Sequence, residues 1–197
     1  MKIFFGSKSN SILDGKYLSQ VHSNKVVVVT DKFQITDNFE ADALVTKLRG
    51  IKLSVKTADC VPILLSSHNA VAAVHAGWRG AYNGIIQNTV DIMKQFGVLD
   101  IEAYIGPSIR QEHYEVDEKF YKKFISQSEE NKRFFNNLHF DLPGYCKSIL
   151  IGCEVINISD EGIDTYSNPD KFYSYRYYSK HGLILEKEQR QISSIEL

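Results

Sequence analysis

The sequence predicts an α+β fold with mixed β-sheets. Three observations lead there. The first half is rich in β-branched runs, the apolar period changes to that of a helix at Gly80–Phe96, and strands and helices do not alternate as regular βαβ units. Lys25–Thr30 is a run of valines that suits a buried pleat. Ala43–Thr46 reads as a second, weaker strand. Ile51–Lys56 alternates apolar and polar side chains, as a half-buried strand does. Val61–Ser66 and Ala70–His75 form a predicted hairpin turned at Ser67-His68-Asn69.

From Gly80 onward the apolar positions are Tyr82, Ile85, Ile86, Val90, Met93 and Phe96. They share one helical face, and Gly97 is a natural stop. Ile101–Ile105 is the next strand. Asp117 can cap a second helix that buries Phe120, Tyr121, Phe124 and Ile125. Ser126–Asn137 is polar and expected at the surface. Asp141 can cap a third helix, with Pro143 tolerated in its first turn and Gly152 at its end. Glu154–Ser159 and the aromatic Phe172–Tyr178 read as strands, the latter near a pocket. Leu183–Leu197 supplies one or two more.

The 197 residues suffice for a single domain spanning 1–197. The net charge of −1 disfavours a general electrostatic grip on nucleic acid or an anionic membrane. The longest apolar runs, Val61–Leu65 and Ala70–Val74, fall far short of the roughly 20 residues that a membrane helix needs. Met1–Gly6 is too short an apolar stretch for a signal peptide, so a cytoplasmic protein is expected. The three cysteines are odd in number and widely spaced, which argues against a disulfide framework. Cys146 and Cys153 read as small core residues.

Three stretches can carry chemistry: Gln20–Asn24, Thr57–Pro62 and Val74–Gly80. His75 ends an apolar strand ahead of a glycine-flanked turn. Gly77 and Gly80 permit close backbone approach, and the free N–H groups of the following helix suit an anion. Arg79 adds a forked cation for phosphate or carboxylate; the alternative is a structural pair with Asp59. Cys60 sits at the junction of two predicted strands. One cysteine and two histidines form a ligand set that suits zinc, and three protein ligands leave a fourth position open for catalysis. Of the other histidines, His113 lies in a predicted loop that can approach a pocket. His68, His139 and His181 read as turn, surface or packing residues.

The motifs QVHSN, TADCVPILL, AVHAGWRG and IGPSI…YEV resemble the bacterial laccase-like purine nucleoside phosphorylases, formerly called multicopper polyphenol oxidoreductases. The resemblance covers most of the chain from Gln20. It implies a four-layer α/β/β/α fold with mixed β-sheets and an internal duplication. It implies zinc held by His22, Cys60 and His75, which would also be the catalytic residues. The implied activities are phosphorolysis of adenosine, inosine, guanosine and methylthioadenosine, and deamination of adenosine. Purine nucleosides and phosphate would be the partners of a monomer or homodimer. Ser7–Ser11 is the nearest counterpart of the family's N-terminal S-x-R-x-G-G-x-S motif. The late Cys-Thr pair is Asp164-Thr165 here, and the Tyr-Arg-Arg run is Tyr175-Arg176-Tyr177.

Zinc lowers the pKa of water towards about 7, which would supply hydroxide for attack on C6 of adenine. Phosphorolysis needs a placed anion, for which Arg79 and the Gly77–Gly80 backbone are candidates. Aromatics of Phe172–Tyr178 are candidates for stacking on the purine. Asp59 is a candidate to orient a ligand histidine or to contact substrate. Copper is less expected than zinc: a full multicopper laccase centre needs about ten histidines plus a cysteine, and the chain has six. The competing readings are a laccase-type polyphenol oxidase, a metal-free hydrolase with Cys60 as nucleophile and His75 as base, and a non-catalytic binding protein.

Overall fold

Buried β-branched and small apolar residues build the centre of the molecule. The computed structural model describes every residue except Leu13 and Ile35. The strands are β1 (Lys2–Phe5), β2 (Val26–Val29), β3 (Ala43–Thr46), β4 (Lys52–Thr57), β5 (Val61–Ser66), β6 (Val71–Ala76), β7 (Glu102–Ile105), β8 (Phe135–Asn136), β9 (His139–Phe140), β10 (Asn157–Asp160) and β11 (Gln191–Glu196). The helices are α1 (Trp78–Tyr82), α2 (Ile85–Gln95), α3 (Glu118–Gln127), α4 (Leu142–Gly152) and α5 (Tyr175–Lys180). A six-stranded mixed sheet runs β10-β7-β5-β6-β3-β2, and a three-stranded antiparallel sheet runs β1-β11-β4. The fold is mixed α+β, as the sequence predicts.

The large sheet is covered on both faces, which explains why β5 and β6 are buried along their whole length. On one face Val45, Ile63, Leu65 and Val74 pack against Ile86, Val90 and Met93 of α2 and against Leu150 of α4. On the other, Leu44, Leu64, Val71 and Ala73 pack against Leu53, Val55 and Ile195 of the small sheet. Alternate residues of one strand thus serve two separate cores. No helix among the described residues is long and apolar enough to cross a membrane.

The expected hairpin forms, with Ser67 N–H donating to Ala70 O at 2.9 Å. Asp117 caps α3 by accepting from Phe120 N at 2.7 Å, and Asp141 caps α4 by accepting from Gly144 N at 2.9 Å. The single helix expected over Gly80–Phe96 is two, α1 and α2. Gly84 separates them at φ +97°, a conformation cheap only for glycine, and the apolar face survives in α2. Gly97 stops α2 at φ +78°, as expected.

Three expectations are corrected. Phe172–Tyr178 is not a strand: Ser174 accepts from Tyr177 N and starts α5 there. Ser126–Asn137 is only partly exposed, because a 3₁₀ turn over Glu129–Phe134 buries Asn131 and Phe134. The strand expected from Glu154 begins at Asn157, since Glu154 takes φ +67° in leaving α4. The N-terminal β1, read above only as a short apolar stretch, pairs with β11.

Candidate metal centre

Strand register assembles the site. Val61 pairs with Ala76, so Cys60, just before β5, lies across from the end of β6, where His75 sits. Ala43 pairs with Val74, so Asp42, just before β3, lies beside His75; His75 N–H donates to Asp42 O at 2.8 Å. His22 arrives on a loop and takes φ +60°. That loop is held by the Asp42 carboxylate, which accepts from His22 N at 3.0 Å, Ser23 N at 2.6 Å and Ser23 Oγ at 2.7 Å. The same carboxylate meets His75 Nδ1 at 2.8 Å.

Cys60 Sγ lies 3.7 Å from His22 Nε2. One donor atom from each of His22, Cys60 and His75 falls within 4.8 Å of the others. Zinc–sulfur and zinc–nitrogen bonds at tetrahedral angles would set sulfur and nitrogen about 3.6 Å apart, close to what is seen. Asp42 occupies His75 Nδ1 and leaves Nε2 for a metal. Burial would raise the Cys60 thiol, but His75 and His22 more than offset it and bring it down to about 6. The lowered thiol favours thiolate, the form that ligates metals. Burial would likewise raise the Asp42 carboxyl, yet His75 and Ser23 hold it at about 2. The donor chemistry fits a borderline-soft divalent ion with three protein ligands.

The family described as multi-copper polyphenol oxidoreductase laccase matches residues 9–186. The chain belongs to this family. It is 42% identical over 167 residues to a purine nucleoside phosphorylase of Rickettsia prowazekii, across 81% of this chain and 69% of that protein. It is 34% identical over 182 residues to an adenosine deaminase from an unknown prokaryotic organism, across 80% and 67% of the two chains. Among solved structures, a Neisseria meningitidis protein aligns with a TM-score of 0.79 at 31% identity, over 94% of this chain and 75% of that one. A hypothetical protein of Bacillus licheniformis aligns with a TM-score of 0.82 at 26% identity, over 93% and 74% of the two chains.

The remaining residues singled out in this family member take varied places. Gly77 faces the donors themselves: a Cβ there would stand 2.7 Å from His22 Cδ2 and 3.1 Å from Cys60 Sγ. The helix after it, α1, has only five residues. Arg79 is exposed, with its guanidinium 4.9 Å over the Trp78 ring, and it does not pair with Asp59. Asp59 is 9% exposed and takes φ +88°. Its carboxylate accepts from Thr165 Oγ1 and from Arg176 N, both at 2.7 Å, and neither His22 nor His75 hydrogen-bonds to it among the described residues. The histidine-orienting carboxylate is Asp42, which the sequence reading missed. Its available signal was an acid abutting the apolar Ala43–Val45.

Tyr114 of the YEV motif and Arg176 of the Tyr175-Arg176-Tyr177 run were given no role of their own, yet both are linked to the Cys60 segment. Arg176 is hydrogen-bonded to the residue preceding Cys60, and its guanidinium lies 5.3 Å over the Tyr114 ring. Burial pushes the Tyr114 hydroxyl far up, the Cys60 and Asp59 charges push it further, and Arg176 and Arg79 oppose them. His113 faces Asp164 Oδ2 at 2.6 Å and stacks on Tyr166. His181 stacks on Tyr177. Neither belongs to the donor trio.

Proposed function

We propose that this chain is a zinc-dependent enzyme of purine nucleosides. It phosphorolyses adenosine, inosine, guanosine and methylthioadenosine, and it deaminates adenosine. The observation that carries the reading is the convergence of His22, Cys60 and His75 on one point, with Asp42 setting the histidine that completes it. The names borne by the Rickettsia phosphorylase and the prokaryotic deaminase supply the substrate class.

Zinc, when bound, supplies Lewis acidity and one open coordination position. The chain's own residues do the rest. Asp42 keeps the proton on His75 Nδ1. Arg79 offers a permanently charged fork for an anion. Gly77 leaves the room that His22 and Cys60 require. In phosphorolysis a phosphate oxygen bonds to C1′ as the bond to purine N9 breaks. In deamination water adds at C6 and ammonia leaves. We place the protein in the cytoplasm, as one domain over residues 1–197, acting as monomer or homodimer on small molecules.

Adenosine incubated with phosphate and the zinc-loaded protein tests this. Adenine with ribose 1-phosphate reports phosphorolysis, and inosine reports deamination. Neither product from fully loaded protein would overturn the reading. The depressed Cys60 thiol also favours a cysteine nucleophile with His75 as base. Turnover that survives chelation and stops on alkylation of Cys60 would establish that second reading instead.

A further inference from the structure

Two arginines sit on segments joined to the donor trio, Arg79 on the helical turn after His75 and Arg176 through its N–H to Asp59, and neither is among the ion pairs found for the described residues. Arg79 lies 4.9 Å over Trp78, and Arg176 lies 5.3 Å over Tyr114. The two supporting rings share a floor: Phe120 is 4.9 Å from Trp78 and 6.4 Å from Tyr114. The arginines thus rest on adjoining aromatic plates. Each plate is tied to the donors. Trp78 follows Gly77, where an added Cβ would meet His22 and Cys60, while Arg176 N donates to Asp59, the neighbour of Cys60. Both charges also act on the same Tyr114 hydroxyl, which feels Cys60 as well.

Arg176 is held in place without losing its charge. Its Nη1 donates to the Glu115 carbonyl at 2.7 Å, which fixes the fork and leaves its other N–H groups for a ligand. Lys123 Nζ lies 5.1 Å over Trp78 and makes the same rim more positive. A pair of guanidinium groups without carboxylate partners, one held by a carbonyl and one resting on an aromatic ring, suits a doubly charged oxyanion, because each can donate charge-assisted bonds.

We propose that Arg79 and Arg176 form a two-armed clamp for inorganic phosphate beside the His22–Cys60–His75 trio. The clamp rests on the phosphorolytic reading above and adds Arg176 as the second arm. It holds hydrogen phosphate while one oxygen bonds to C1′ and the C1′–N9 bond breaks. The N9 electron pair leaves with the purine, and the proton carried by the phosphate ends on the purine.

The test is phosphate binding by calorimetry to the zinc-loaded full chain, with phosphate and nucleoside KM measured in parallel. Arg176→Gln should raise the phosphate Kd and KM by at least about tenfold, and more than it raises the nucleoside KM. Arg176→Lys, which keeps charge but not the fork, should fall between parent and Gln. Arg79→Gln changes an exposed side chain away from Asp59 and should weaken phosphate comparably. A phosphate Kd within about twofold of the parent in both Gln variants would overturn the clamp, even where phosphorolysis is observed. Arginine-dependent phosphate binding in a protein that makes no ribose 1-phosphate would uphold the clamp and sink the phosphorolytic reading instead.

Discussion

Asp42 Oδ1 lies 2.8 Å from His75 Nδ1, and the same carboxylate gathers the backbone N–H groups of His22 and Ser23. One buried acid therefore orients one candidate ligand and anchors the loop that carries another. Asp42 is fully buried and His75 is 4% exposed, so the contact is shielded from solvent.

Removing the acceptor should loosen the metal. Asp42→Asn should weaken zinc binding by about 10- to 100-fold, the usual cost of losing an outer partner of a ligand histidine. Competition against a chromogenic chelator measures this. Unchanged affinity would leave Asp42 with a purely structural role.

The same pair sets an acid limit to stability. Asp42 is depressed to about 2 in the fold, so its ionised form stabilises the protein. The contribution is complete above the ordinary carboxyl range near pH 4 and disappears as pH falls towards about 2. Its size is on the order of 2 kcal/mol. Metal-free parent should lose Tm across this window more steeply than metal-free Asp42→Asn. Parallel loss in both would show that the carboxylate gains nothing from its partners.

Cys60 is the softest of the three candidate donors, and the neighbouring histidines bring its thiol down to about 6. Cys60→Ala should weaken zinc binding by more than about 100-fold, beyond the effect of an outer partner, and abolish turnover. Elemental analysis after dialysis, alongside the nucleoside assay, decides it. Normal turnover by the alanine variant would refute the ligand role.

Gly77→Ala isolates a steric effect. The backbone there is at φ −71°, which alanine adopts freely. The added methyl would meet the His22 ring at 2.7 Å and Cys60 Sγ at 3.1 Å. Overpacking of this kind costs about 1–3 kcal/mol. Here the yielding atoms belong to proposed ligands, so metal affinity should fall more than Tm of the metal-free protein. A drop in that Tm with full metal affinity would contradict this placement.

Much of the fold was legible along the chain. The valine run of β2, the β5–β6 hairpin and the caps Asp117 and Asp141 each depend on residues close in sequence, where period and hydrogen-bonding chemistry act locally. The break at Gly84 and the helix at Tyr175–Lys180 were misread because a glycine inside an apolar period, and a short aromatic run, are compatible with more than one local structure.

The candidate donors His22, Cys60 and His75 carry their chemistry in their own side chains, so residue type and motif were enough to propose them. Their meeting could not be read that way. It depends on Val61 pairing with Ala76 and Ala43 with Val74, contacts between residues far apart along the chain. Asp42 acts only through such contacts, on His75, and has no local pattern of its own, while Arg176 stands in a recognisable run but reaches Tyr114 only through packing. Residue chemistry is a property of the chain, whereas the distances that turn it into a site arise from long-range packing of the two sheets and their helices.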